Sequence, residues 1–345
     1  MTEIILTPEQ MAVYKRIVDE LENLRSLTDW EKERLIRDIM EKPFLDLLCD
    51  VAFKYVFQQD MESLKMLLND FLPERIVSVS TKPNELVSPV AGDKKPVLDI
   101  LAETDDGRKI IIEMQQEKRS AFFPRLYYYG SRLLSGQLKK GRSYKDLVRV
   151  IVICFTNFTS PHSGCPEEQL VYEYQHREKV GGGIFTPLHT TYICELPRLA
   201  KKAVKDMNPV ENWFYILRNC RNFVHKPEGM DPRYDHIIEA AKTNLVPDKE
   251  RTQYLRAMLS DYDKKDIADA YFEDGYEKGV QKGIEMGMEK GMQKGMEKGM
   301  EKGMEKGMEA NRLETAKRML DDKIGVDLVV RYTGLSLEQI QALKG

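Results

Sequence analysis

Two short apolar runs carry the polar side chains that could do chemistry. Val97-Leu98-Asp99-Ile100-Leu101-Ala102 and Ile110-Ile111-Ile112-Glu113-Met114-Gln115 are dominated by aliphatic and β-branched residues and are separated by Asp105-Asp106-Gly107, so they read as the two strands of a hairpin. Buried strands seldom carry charge, yet these hold Asp99, Glu113 and Gln115. Register decides whether the three meet. A three-residue loop with Gly107 in the left-handed conformation pairs Thr104 with Arg108 and sets Asp99 across from Glu113 on one face. A two-residue Asp106-Gly107 loop pairs Asp99 with Met114 instead and sends the carboxylates to opposite faces, because a slip of one residue inverts the pleat. Gln115 lies on the Glu113 side in either register. Two facing carboxylates repel, which calls for a raised carboxyl pKa or a bound cation. A divalent metal is the simpler answer, since Mg2+ is commonly held by one or two carboxylates with water and phosphate completing its shell.

Asp99 followed by Glu113-x-Gln115 on the next strand resembles the core of the PD-(D/E)XK nucleases, in the form found in Rpn-type recombination-promoting nucleases, also described as putative transposases. Asp50-x-x-Phe53-Lys54 upstream, Arg125 with the tyrosines after it, and the closing Tyr332-Thr333-Gly334-Leu335-Ser336 extend the likeness, which covers roughly Phe44 to Leu199 and the tail. The resemblance implies an α/β fold, a PD-(D/E)XK nuclease-like core with a mixed central sheet flanked by helices. It implies a Mg2+-dependent (or Mn2+-dependent) DNA endonuclease in which Asp99, Glu113 and the carbonyl of Met114 hold the metal. Asp50 and Lys54, from the first helix of the core, would flank that site. The superfamily usually places a lysine where this chain has Gln115. Glutamine orients a water but brings no positive charge, so Lys54 would supply what is missing. The proline of the motif is also replaced, by Leu98. The alternative is a nuclease-like DNA-binding or assembly protein without efficient cleavage, acting in mobile-element regulation or phage defence.

The elements that must position these residues can be read from the rest of the chain. Its 345 residues, 42% hydrophobic and 32% charged, suffice for a packed core with long solvated helices. The longest clean apolar run, Val150 to Phe155, is far short of the roughly 20 residues of a membrane span, and no basic-then-apolar leader is seen, so a cytoplasmic protein without a membrane partner is expected. Five cysteines without a Cys-x-x-Cys pair argue against a disulfide framework and against a zinc ribbon; His162-x-x-Cys165 is at most half of a zinc site. A net charge of -3 attracts no nucleic acid globally, so affinity for DNA must come from a local patch.

That patch is the segment from Glu117 to Arg149, with nine basic residues against two acidic ones. Ala121 to Gly141 reads as one helix, Pro124 lying in its first turn and Gly141 after its end. Arg125, Arg132, Lys139, Lys140 and Arg142, interleaved with Tyr128 and its neighbours, suit phosphate contacts and base stacking. The plainer reading is a solvated charged face with tyrosines in the core. Ile76 to Val87 is expected to hold a weak first strand, Leu147 to Phe155 a strand buried on both faces, and Leu188 to Leu196 another.

The domain plan is a helical arm over 1–43, the nuclease-like core over 44–199, a helical extension over 200–274, a repeat over 275–309 and a small helix-turn-helix-like tail over 310–345. Thr7 and Pro8 open the arm as N-cap and first helical residue. In the extension, helices are expected around Leu199 to Met207, Val210 to Phe223, Tyr234 to Thr243 and from Lys249, with no chemistry among them. Glycine recurs every fourth residue from Gly275 to Gly307, nine times, with Met, Glu and Lys between. At about 1 kcal/mol per glycine this is a marginal helix or an extended spacer. The tail ends in a capping box, Ser336-x-x-Gln339, with Leu335 and Ile340 as its hydrophobic staple. Repeat and tail together are expected to build a homo-oligomer.

Overall fold

The computed structural model describes residues 5–85, 97–118, 121–138, 141, 143–162, 165–166 and 169–343. Two units emerge, Met1–Asp266 and Ile267–Gly345. The first is built on a six-stranded sheet: β1 (Val79–Lys82), β2 (Ile100–Thr104), β3 (Lys109–Gln115), β4 (Val150–Thr156), β5 (Val171–Arg177) and β6 (Ile184–Glu195), in the spatial order β1-β2-β3-β4-β6-β5. β3, β4 and β6 run parallel to one another, while β1, β2 and β5 pair antiparallel with their neighbours. The sheet is therefore mixed. At its parallel centre β4 is apolar except for Thr156, and every residue of β4 is buried, as a strand covered on both faces must be.

Alternation along the strands divides the core into two layers. Ile110, Ile112, Ile151, Ile153, Phe155 and Cys194 face a large apolar cluster that includes α1 (Pro8–Asp19), α2 (Asp29–Met40), α3 (Asp50–Gln59), α4 (Met61–Phe71), α6 (Pro209–Asn219) and α7 (Asp235–Ala240). Ile111, Val150, Val152, Cys154 and Ile193 face the other way, against α5 (Phe122–Ser135). Helices thus cover both faces. Thr7 caps α1 with Pro8 at its first position, as its sequence suggests, and Trp213 and Phe214 of α6 are wholly buried.

Several elements differ from expectation. α5 ends at Ser135 with Gly136 as its cap, rather than running to Gly141. The cause lies just beyond: the Gln137 side chain donates to the Val148 carbonyl at 3.1 Å and accepts from the Val148 N–H at 2.9 Å, which turns the chain toward β4. Around Leu199 to Met207 only short 3-10 turns form, at Leu196–Arg198 and Val204–Asp206. β5 is an additional strand, paired at the sheet edge with β6.

α8 (Asp248–Asp321) begins in the first unit and continues in the second, so the glycine repeat is α-helical. In the second unit, α9 (Val326–Thr333) and α10 (Leu337–Ala342) close a small core of Ala316, Val329, Leu335 and Ile340, with the Ser336 and Gln339 capping box formed. Among the described residues no helix is long and apolar enough to cross a membrane.

α5 lies close against the sheet at Gly130. A Cβ there would stand 2.0 Å from Nε2 of His189 and 3.1 Å from Cγ2 of Val152. His189 is buried and its ring is hemmed in by Tyr127 and His176, so it has little room to yield. Gly130→Ala is expected to lower stability by about 1–3 kcal/mol through overpacking, read from the urea midpoint; a midpoint equal to wild type would show that this contact is loose.

Candidate active site

The hairpin adopts the three-residue loop. Gly107 has φ +82°, the Thr104 N–H donates to the Arg108 carbonyl at 3.1 Å, and the ladder runs from Glu103 opposite Lys109 to Ile100 opposite Ile112. The next pair outward is Asp99 and Glu113. Asp99 stands in a bend just before β2, so the two side chains interlock rather than simply standing side by side. The Asp99 N–H donates to Oε1 of Glu113 at 3.1 Å, and the Met114 N–H donates to Oδ2 of Asp99 at 2.8 Å. Each carboxylate is bound to backbone belonging to, or adjoining, the other.

The surrounding polar groups come from three elements. Lys54, on the second turn of α3, places Nζ 3.3 Å from Oδ1 of Asp99. Asp50, one turn earlier, accepts from the Val51 N–H. From β3, Gln115 directs Nε2 toward Oε2 of Glu113 at 3.4 Å, while its Oε1 accepts from the guanidinium of Arg125 on α5. The Nε atom of Arg125 is buried and has no hydrogen-bond partner among the described residues.

Asp99 and Glu113 are 7% and 3% exposed, and ionisation is therefore costly. Burial, reinforced by the Asp99 carboxylate, pushes Glu113 up to about 8. Burial raises Asp99 also, against the opposing pull of the Met114 N–H and Lys54. One lysine and one distant arginine do not compensate two buried carboxylates. Among the described residues no three His, Cys, Asp or Glu side chains converge as a closed metal site. Any divalent cation here would rest on the two carboxylates, a backbone carbonyl and non-protein oxygens, which is the open kind of shell that Mg2+ accepts.

A cavity of about 330 Å3 opens beside the pair. Asp50, Asp99 and Gln115 line it, and so do Ser260, Asp261 and Lys264 from the first turns of α8. The helical extension, expected to carry no chemistry, thus delivers three polar side chains to the site. Asp261 is raised by burial, with Asp50 and Glu117 adding to the effect and Lys264, 3.4 Å away, opposing it. Nothing local in the sequence marks these residues, because an Asp and a Lys three apart on a charged helix ordinarily face solvent.

Of the residues expected to contact DNA, Arg125 reaches the site, Tyr128 is exposed on α5 and Arg132 is partly buried there. Lys139, Lys140 and Arg142 lie outside the described residues. The His162 ring is engaged at both nitrogens, its Nε2 meeting Glu195 Oε1 at 2.8 Å and its Nδ1 the Tyr174 hydroxyl.

Because the folded chain holds the Glu113 proton more tightly than the unfolded chain does, stability should fall as pH rises from the ordinary 4.5 to about 8. The slope from this group is at most about 1.4 kcal/mol per pH unit. Urea unfolding at stepped pH in the presence of chelator should show this decline, and Glu113→Gln should flatten it; an unchanged slope would place the raised proton elsewhere.

No curated protein and no solved structure shows a significant match to the chain. A family match does exist, over residues 47–270, to the family described as PD-(D/E)XK nuclease family transposase. It spans the sheet, α5, the carboxylate pair and the first turns of α8. The mixed six-stranded sheet with helices on both faces is the α/β core that the resemblance implies. With nearly two thirds of its length matched, the chain belongs to the PD-(D/E)XK nuclease family transposases.

Proposed function

We propose that the chain is a Mg2+-dependent DNA endonuclease of the recombination-promoting type, hydrolysing phosphodiester bonds, with Mn2+ as a possible substitute ion. The observation that supports this most is the charge deficit at Asp99 and Glu113, two buried carboxylates offset at contact distance, among the described residues, by Lys54 alone. Asp99, Glu113 and the Met114 carbonyl would hold the cation. The Gln115 carbonyl accepts from the Asn157 N–H on the β4 side, so by strand alternation the Met114 peptide group faces Asp99. When bound, the cation supplies Lewis-acid chemistry, polarising a phosphate oxygen and lowering the pKa of a water.

This chain's own residues do the rest. The second lone pair of Gln115 Oε1 can orient the attacking water, and the Arg125 guanidinium that holds Gln115 brings positive charge for a phosphate oxygen. Lys54 provides positive charge beside Asp99 in the absence of a motif lysine, and Asp50 lines the same cavity. Arg125, Tyr128, Arg132, Lys139, Lys140 and Arg142 would hold the DNA backbone and its bases. One observation favours a second reading, binding without efficient cleavage: the motif position holds Gln115, whose carboxamide is already engaged by both Glu113 and Arg125.

The second unit is assigned to assembly. Its methionines from Met286 to Met308 are 50–77% exposed, and a Cβ on any glycine from Gly279 to Gly307 would meet open space. Exposed apolar side chains of this kind suit contact with further copies of the chain.

Supercoiled plasmid incubated with Mg2+ should be nicked, chelator should stop it, and Asp99→Asn or Glu113→Gln should cut the rate about a hundredfold or more. Wild-type rates in either variant would remove these residues from the centre. Gln115→Lys ought to cut faster if the missing charge limits the rate, and a chain that cuts only after this change would establish the second reading. Deleting residues 275–345, which leaves the first unit whole, is expected to retain cleavage and to lower the mass seen by light scattering; an unchanged mass would place assembly elsewhere.

A further inference from the structure

A second cavity, of about 380 Å3, lies against the other flank of α5. Thr191 and Ile193 of β6 form its floor, Phe123 and Tyr127 of α5 one wall, and His162 and Tyr174 the other. The register locates it with respect to the carboxylates. Glu113 lies opposite Cys154, and Cys154 opposite Ile193. All three face α5, so the floor is two strand spacings, about 10 Å, from Glu113. One turn of α5 therefore serves both places, with Arg125 turned to Gln115 and Phe123 and Tyr127 to the cavity.

The walls are aromatic and held in fixed orientations. The His162 ring stacks on Tyr172 with centroids 3.6 Å apart and planes 13° from parallel. Its nitrogens are taken by Tyr174 and by Glu195, a carboxylate with no exposure at all. Phe123 meets the edge of His162 at 6.1 Å and 86°, and the Tyr127 hydroxyl reaches Nε2 of His176 at 3.2 Å. Even so, Phe123, Tyr127 and Tyr174 remain 40%, 54% and 38% exposed around the opening. Among the described residues no Lys, Arg, Asp or Glu lines it. A concave, uncharged, aromatic site suits a flat uncharged ring. The basic segment that contains α5 would supply phosphate contacts beyond it.

We infer that this cavity receives an unpaired nucleobase of the nucleic acid whose phosphate lies at Asp99 and Glu113. The inference rests on the reading of the carboxylates as a nuclease centre. A separation of about 10 Å corresponds to about three base steps at ~3.4 Å each. A base inside a duplex presents only its edges, so the occupant must be single-stranded or turned out of the stack. Stacking on aromatic rings tolerates any base, so the cavity selects unpaired structure rather than sequence.

The test uses the full chain in chelator, with a short fluorescein-labelled single strand, the same strand carrying 2-aminopurine, and the corresponding duplex. The single strand should bind about tenfold more tightly than the duplex, and 2-aminopurine fluorescence should fall on binding. Phe123→Leu and Tyr127→Leu should each weaken single-strand binding about tenfold, lose more there than on the duplex, and restore the fluorescence, whereas Tyr127→Phe keeps the ring and the quenching. If a leucine variant fails to fold by circular dichroism, the wild-type fluorescence still decides, because an unquenched base is not stacked. Folded leucine variants that bind the single strand as wild type does would overturn the inference and leave plasmid cleavage as separate support for the nuclease reading. Absence of binding to either DNA would overturn both. Ring-dependent base binding without metal-dependent cleavage would uphold the cavity and refute the nuclease.

Discussion

The Asp99 N–H donates to the Glu113 carboxylate, and the N–H of Met114, the residue after Glu113, donates to the Asp99 carboxylate. This crossed pair of bonds brings two like charges together inside a protein, and most of the first unit is arranged to tolerate it. The loop at Gly107 sets the register that makes the residues neighbours. The helix layers on both faces of the sheet remove the water that would otherwise separate and solvate them. The same burial that fixes the geometry raises both carboxyl groups, so the folded pair is more stable protonated than ionised. The cost of holding the pair is carried by the apolar sheet beneath it.

α5 is the element through which the rest of the surface communicates with that pair. It crosses from β3 to β4 and packs on β4 and β6, and Gly130 lets it lie low enough for its first turns to straddle the sheet. Arg125 then reaches over β3 while Phe123 and Tyr127 reach over β6. A helix seated higher would separate the carboxylates from the aromatic wall. α8 acts similarly from the opposite side, since Ser260, Asp261 and Lys264 complete the cavity only because the chain returns there after the whole extension has folded.

What was legible in the sequence follows from how local each signal is. The strands around Asp99 and Glu113, their turn and the two possible registers could be written down from a few residues, and the three-residue loop proved to be the one adopted. The caps at Thr7 and Ser336 were equally plain, because a capping box is made within four residues. β5 was not visible. Val171–Arg177 is an edge strand whose inward face carries only Tyr172 and Tyr174 before His176, too short an alternation among polar residues to show a period. The end of α5 was misplaced because two glycines competed, and only the long-range bond between Gln137 and Val148 decides for Gly136. The contribution of α8 was hidden for a stronger reason: its side chains take their meaning from a strand more than a hundred residues away.

The four-residue unit that recurs through α8 has a consequence for heredity as well as for structure. Each unit adds about 6 Å of helix and turns whatever follows by about 40°. Gain or loss of one unit preserves the reading frame, the composition and the alternation of Glu and Lys, and no glycine of the tract from Gly279 onward presses on a neighbour that would register the change. The tract is thus a stepwise ruler. A change of one unit leaves every residue of the cores at either end in place.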